Sequence, residues 1–335
     1  MKKIAFMLVA VLMLPMMIFT GCGNTDNNKI ILSEVTHSIF YAPLYIALNN
    51  DYFKDEGLDV ELINGNGSNN VMTSIISGQA TIGLAGPETA VYTAQQTTSG
   101  SSPKVFGQLT ACDGSFLIGR DANEDFTLED LRGSTIIAGR RGGMPAMTLE
   151  YALKQHGMVA GVDYTLNLDY DFGMVASVFE AGTGDYCTMF EPVASDYVAS
   201  GKGAIVASIG ELGGSVPYTG FIATEEYLTD NALQAEQFLR AVYRGYLFLM
   251  NGDIEDVVTA LVPSFDGTSR ESIKAAVENY KSLDAFASTP VMNEEGYERL
   301  CNIIRGAGQL DGSVDFDKVI DNTIAEKVVN YFNFA

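Results

Sequence analysis

The chain has no tryptophan, only two histidines, and four cysteines in 335 residues. It contains no Walker A sequence, G-x-S-x-G elbow, H-E-x-x-H pair or dinucleotide fingerprint, so the common phosphate-cradling, acyl-transfer, zinc-hydrolase and dinucleotide chemistries have no local signature. Cys112, Cys187 and Cys301 match no zinc spacing and are too few to frame a chain of this length with disulfides. They are expected in or near the core; one pair can bridge, and an odd number leaves at least one free thiol. No metal and no cofactor are expected. Positive charge is scarce: 20 Lys and Arg stand against 42 Asp and Glu, a net charge of −22. Such a surface excludes nucleic acid and anionic lipid headgroups as natural partners. Past residue 22 no apolar run is long enough to span a membrane.

One apolar run is present, at the start. Met1-Lys2-Lys3 is a short basic segment, and Ile4 to Phe19 carries no charge, the shape of a secretory signal. It ends in Phe19-Thr20-Gly21-Cys22, small residues before a cysteine in the manner of a lipobox, although Phe19 stands where leucine is usual. The expectation is a signal peptide over 1–21, lipidation of Cys22, an extracytoplasmic location and a polar tether over 22–28. The competing reading is a plain secretory peptide or a weak anchor. Without Lys2 and Lys3 the balance becomes 18 basic against 42 acidic residues. About 305 residues follow the tether, more than one core ordinarily serves.

The periodicity predicts an α/β protein. Lys29–Glu34, Asp59–Ile63 and Thr81–Ala85 read as strands, with helical spacing over 43–48, over 69–77 (Val71, Ile75 and Ile76 inward) and over 87–95. Strands at Val105–Leu109 and Phe116–Gly119 flank Cys112-Asp113-Gly114. A second series begins at Thr127-Leu128-Glu129-Asp130, a capping box, with strands at Thr135–Ala138, Val162–Leu168, Asp185–Met189, Ala204–Ile209 and Tyr218–Thr224. From Gln234 onward the pattern is helical, and 238–249 is apolar enough to pack on the first unit.

In open α/β sheets the loops at the carboxyl ends of strands line the ligand crevice. Several loops here share that address and precede helix starts, whose free N–H groups would face the crevice. From the first series they carry His37, Ser38, Phe40, Tyr41, Gly67, Ser68, Gly86, Glu88 and Thr89. From the second they carry Arg140, Gly142, Gly143, Met144, Asp171, Phe172 and Glu191, and Tyr218 lies at the return crossing. Phe40 and Tyr41 either stack on a planar ligand or belong to the core under the first helix. Glu88 and Glu191 either meet the ligand or simply oppose the helix dipole. Arg140-Arg141 beside three glycines is either an anion site or a solvated turn. His156, one residue before Gly157, fits a helix C-terminus.

Four stretches carry a family resemblance: F-Y-A-P-L-Y-I-A-L-N-N-D-Y-F-K-D-E-G-L-D-V-E (40–61), S-G-Q-A-T-I-G-L-A-G (77–86), L-E-D-L-R-G-S-T-I (128–136) and G-D-Y-C-T-M-F-E-P (184–192). Together they resemble the extracytoplasmic substrate-binding proteins of ABC importers, in the family that includes binders of thiamine pyrimidine precursors, nitrate, taurine and alkanesulfonates. The resemblance implies a two-lobed periplasmic-binding-protein type II fold with a hinge, closing on one solute. It also implies C-terminal helices that return to the first lobe, a permease as partner, a monomer, and binding without catalysis. The lobes would be residues 29–113 with 218–335, and residues 114–217. Thiamine-precursor binders often stack a tryptophan on the solute; here Tyr41, Phe40 or Tyr186 would have to serve. Glu88, Asp171 and Glu191 would oppose a bare anion, which favours a neutral or amino-bearing heteroaromatic such as a pyrimidine over a sulfonate, taurine or nitrate. Pyrimidine synthases of the same fold carry a cysteine-rich iron motif, which is missing here. No helix-turn-helix precedes residue 29, which sets aside a DNA-binding regulator; a receptor instead of a permease stays open.

Overall fold

In a computed structural model, residues 28–97 and 102–333 are described; the segment expected as a signal peptide, and Cys22, lie outside them. Two five-stranded sheets organise the chain. The first holds β1 (Lys29–Glu34), β2 (Asp59–Asn64), β3 (Ile82–Ala85), β4 (Lys104–Thr110) and, returning late, β10 (Thr219–Ala223), in the order β2-β1-β3-β10-β4. The second holds β5 (Ser115–Gly119), β6 (Thr135–Ile137), β7 (Thr165–Asn167), β8 (Tyr186–Phe190) and β9 (Ala204–Ser208), in the order β7-β6-β8-β5-β9. Each sheet has a parallel trio, and each takes one antiparallel strand into its interior directly after a crossing of the chain: β5 after residues 111–114, β10 after 209–218. These two strands are buried along their whole length, as sheet-interior positions covered on both faces require, and their sequences SFLIG and TGFIA carry no charge. Edge strand β2 alternates exposed and half-buried instead.

The helical C-terminal third packs mainly on the first sheet's side. Helix Ala232–Asn251 lays Phe238, Leu239, Val242 and Leu249 against the core and runs along helix Ala42–Asn49. Helix Glu294–Gly306 touches both Glu88–Gln96 and Met144–Gln155, helices that belong to different sheets. The fold is thus the expected two-lobed one, with C-terminal helices on the first lobe.

Two local expectations change and a third holds. The strand expected over Val162–Leu168 is only Thr165–Asn167, because residues 159–163 form a turn that leaves Val162 exposed and commits the Asp163 carboxylate to Val159 N. Ile76 points outward, since Val71, Met72 and Ile75 already fill the inward face of helix Ser68–Ile76. The capping box at Thr127 forms, but it opens a single 3₁₀ turn, Leu128–Leu131. Cys112, Cys187 and Cys301 are buried and unpaired.

Candidate functional site between the sheets

The carboxyl ends of the parallel strands meet around one cavity of about 400 Å³, a volume suited to a small solute. Val35 and Thr36 follow β1, Asn66 to Ser68 follow β2, and Gly86 follows β3. Across from them Ala138 to Arg140 and Gly143 to Pro145 follow β6, Asp171 to Met174 follow β7, and Phe190 ends β8. Tyr41, Tyr218 and Thr219 complete the lining. Of the residues singled out from sequence, Tyr41, Gly67, Ser68, Gly86, Arg140, Gly143, Met144, Asp171, Phe172 and Tyr218 are therefore brought together.

The others lie elsewhere, each for a visible reason. His37 points away from the cavity: its Nδ1 meets Glu34 Oε1 at 2.8 Å and its Nε2 meets the Ser264 carbonyl at 2.6 Å. The hydrogen bond with Glu34 raises its pKa against the opposing effect of burial, and the contact with the Ser264 carbonyl adds to the rise. Ser38 is buried and donates to the Glu191 carbonyl at 2.7 Å, tying the loop after β1 to the loop after β8. Phe40 is fully buried among Tyr41, Phe190, Tyr218 and Tyr280, the core role left open beside stacking. Thr89 donates to the Gly86 carbonyl at 2.8 Å. Gly142 lines an outer groove with Thr89, Arg140 and Gln309, and its carbonyl accepts from Tyr92 at 3.1 Å. Tyr186 sits at the far end of β8, against Phe126.

The two glutamates separate. Glu191 caps its helix: its carboxylate accepts from Ser195 N at 2.9 Å and Ser195 Oγ at 2.8 Å, and from Asn279 at 3.0 Å. It is therefore satisfied and does not line the cavity. Glu88 is equally buried, yet neither carboxylate oxygen has a hydrogen-bond partner. Burial pushes its carboxyl up to about 7, against the opposing pull of Arg140 from the other sheet. Of the three acids expected to oppose an anion, Asp171 lines the cavity, and Glu88 lies buried against the lining residue Gly86 without lining it. Arg140 itself bridges to Asn69 Oδ1 at 3.2 Å, across the cleft.

Residues that sequence reasoning passed over as site members include Phe190, Met174, Thr219, Val35 and Thr36. Phe190 packs edge-on against Phe172, with centroids 5.0 Å apart, and the pair makes an aromatic wall. Its position at a strand's carboxyl end was a usable signal. Thr219 had none, because its address depends on β10 entering the first sheet antiparallel. Asp113, noted only as a crossing point, is a buried hub that accepts from Ser115 N at 2.7 Å, Ser115 Oγ at 2.6 Å and Thr148 Oγ1. Burial raises its carboxyl to about 6.

The profile of the family described as NMT1/THI5 like matches residues 39–253. The chain belongs to that family. It is 39% identical over 303 residues to the Bacillus subtilis (strain 168) protein named "Putative binding protein YtlA", covering 90% of each chain. Among solved structures, the ligand-binding component of an ABC-type import system from Staphylococcus aureus, with zinc bound, superposes with a TM-score of 0.73 at 12% identity. The match covers 90% of this chain and 99% of that one. The periplasmic nitrate-binding protein NrtA from Synechocystis PCC 6803 gives 0.72 at 16% identity, over 92% and 90%. The desulfurization enzyme DSZB gives 0.63 at 13% identity, over 91% and 99%. Likeness at such identities concerns the fold, which serves proteins named for binding and one named for turnover alike.

Proposed function

We propose that the chain is the substrate-binding component of an ABC importer, held outside the cytoplasm by lipid on Cys22, and that it captures an amino-bearing heteroaromatic solute such as a pyrimidine. The observation that carries this reading is the cavity at the carboxyl ends of both parallel trios, walled by Phe172 and Phe190 and lined by Asp171. Membership of the NMT1/THI5-like family and the names of its relatives support the binding-component part of this reading. The closing units are residues 29–113 with 218–335, and residues 114–217. The solute shifts an open–closed equilibrium, and a permease reads the closed form of the monomer. Nothing is turned over.

A second reading has one observation of its own. Arg140 lines the cavity beside the start of helix Met144–Gln155, a geometry that suits an alkanesulfonate, taurine or nitrate.

A thermal-shift screen of aminopyrimidines, sulfonates, taurine and nitrate separates the two, since a specific solute stabilises in proportion to the logarithm of its concentration over Kd. Aminopyrimidines are expected to raise Tm; a response to sulfonates alone overturns the heteroaromatic reading. Chromatography of the solute after incubation is expected to return it unchanged. Loss of solute would make the protein an enzyme. Cys22→Ala is expected to abolish lipid labelling.

A further inference from the structure

The first crossing between the sheets, residues 111–114, carries a carboxylate that is only 2% exposed, that of Asp113. Its Oδ1 accepts from Ser115 N at 2.7 Å and Ser115 Oγ at 2.6 Å, a local turn that leads into β5. Its Oδ2 accepts from Thr148 Oγ1, 35 residues further along the chain and one turn inside helix Met144–Gln155. The Tyr218 hydroxyl, at the end of the second crossing, lies against the same carboxylate. The two crossings also meet through their backbones. Val216 N donates to the Ala111 carbonyl at 2.8 Å, and Tyr218 N to the Thr110 carbonyl at 3.2 Å. A Cβ on Gly210 would fall 2.3 Å from the Asp113 carbonyl oxygen, and one on Gly114 would fall 2.5 Å from the Phe40 ring. The pivot is tight, and Asp113 reaches from it to two parts of the cavity wall. One is Tyr218 itself; the other is Met144 and Pro145, at the head of the helix that Thr148 belongs to.

These contacts differ in what a rotation about the crossings would do to them. The bonds to Ser115 lie within one turn and survive it. The bond to Thr148 joins residue 113 to a helix of the second sheet, and a hydrogen bond tolerates little change in distance or direction. It can also break at small cost, because each partner has somewhere else to turn. Thr148 has a second acceptor in the Met144 carbonyl at 2.8 Å, and Asp113 keeps both donors of Ser115. We propose that Asp113 is a positioning residue for solute capture: its bond to Thr148 sets the angle between the two units, and with it the place of Met144 and Pro145 on the cavity wall. The inference rests on the reading of two closing units proposed above. Released from Asp113, helix Met144–Gln155 swings with the second unit while the crossings stay intact.

Pulsed electron paramagnetic resonance on the ligand-free mature protein carrying Cys22→Ser tests this. Spin labels go on Ile76→Cys and Val162→Cys, exposed sites on the two units; Cys112, Cys187 and Cys301 are buried. Thr148→Val, Thr148→Ser and Asp113→Ala are compared with the labelled parent, with thermal melts as the folding control. Thr148→Val is expected to shift the label distance by several ångström and to broaden its distribution. Thr148→Ser keeps the hydroxyl and should restore the parent distribution. Asp113→Ala should behave like Thr148→Val; if it does not fold, the two Thr148 variants decide alone. A parent-like distance in Thr148→Val, whatever its melting temperature, overturns the inference and reduces the bond to a packing contact. Equal shifts in Thr148→Val and Thr148→Ser overturn it as well, since the hydroxyl would then be irrelevant. So does a folded Asp113→Ala with the parent distance. The closing reading is judged separately, by whether any compound of the thermal-shift screen changes the distance in the parent.

Discussion

Burial of Glu88 couples its ionisation to folding. In the unfolded chain the carboxyl titrates near 4.5, and in the fold near 7. Between those values the folded state holds a proton that the unfolded state has released, so stability falls as pH rises through the interval and levels off above it. The cost at high pH is on the order of 3 kcal/mol. Glu88→Gln keeps the shape and removes the charge. It is expected to raise the ligand-free melting temperature more at pH 8 than at pH 5, and equal shifts at the two values would show that the carboxyl is not buried as described. His37 shows the same sign for a different reason: a favoured cation rather than a penalised anion. Its cationic form is favoured by Glu34 and the Ser264 carbonyl, so its contribution is complete below about pH 6.5 and is lost as pH rises through its raised pKa. Neither effect is visible from residue type alone: Glu88 and Glu191 both sit beside a proline at a helix start, and only one is satisfied.

Helix Ala232–Asn251 and helix Ala42–Asn49 show how an element acquires its place. Their approach is close enough that a Cβ on Gly245 would lie 2.0 Å from the Pro43 carbonyl oxygen. Alanine is the better helix former by about 1 kcal/mol in isolation, but here it must push two backbones apart. Gly245→Ala is expected to destabilise the protein by about 1–3 kcal/mol in urea unfolding, against the direction of propensity; a gain in stability would mean the helices pack more loosely. The same helix is pinned at Arg240, which meets Glu56 at 2.6 Å and Glu236 at 2.7 Å with little exposure. Arg240→Ala would therefore strip packing as well as charge.

At the scale of the molecule, the two sheets are joined by crossings at 111–114 and 209–218 and are held across the cleft by a few polar contacts. Tyr92 donates to the Gly142 carbonyl, Arg140 to Asn69, and Ser38 to the Glu191 carbonyl. Tyr280, from the C-terminal helices, accepts from Glu191 N at 2.9 Å and so braces the same junction. A single hydrogen bond is worth about 0.5–1.5 kcal/mol net, enough to shift a two-state equilibrium severalfold. Tyr92→Phe removes the hydroxyl's cross-cleft contacts with the Gly142 carbonyl and Met147 Sδ and little else. It is expected to increase the radius of gyration of the ligand-free protein in X-ray scattering; an unchanged value would show that Tyr92 does not hold the cleft closed.

The alternation of strand and helix, the glycine and proline punctuation, and the four family stretches determined the fold class and the topological address of the site, because hydrophobic period and turn chemistry are local properties. They also placed Tyr41, Gly86, Arg140 and Phe172 in loops that do converge on one cavity. Which way each side chain turns was decided by tertiary packing. His37, Ser38 and Phe40 occupy one short loop with Tyr41, yet Tyr41 alone of the four lines the cavity, because Glu34, Glu191 and a cluster of aromatic rings claim the others. The unpaired state of Glu88 was decided the same way. It depends on the missing side chain of Gly86 and on the distance to Arg140 across the cleft, neither of which a single loop encodes.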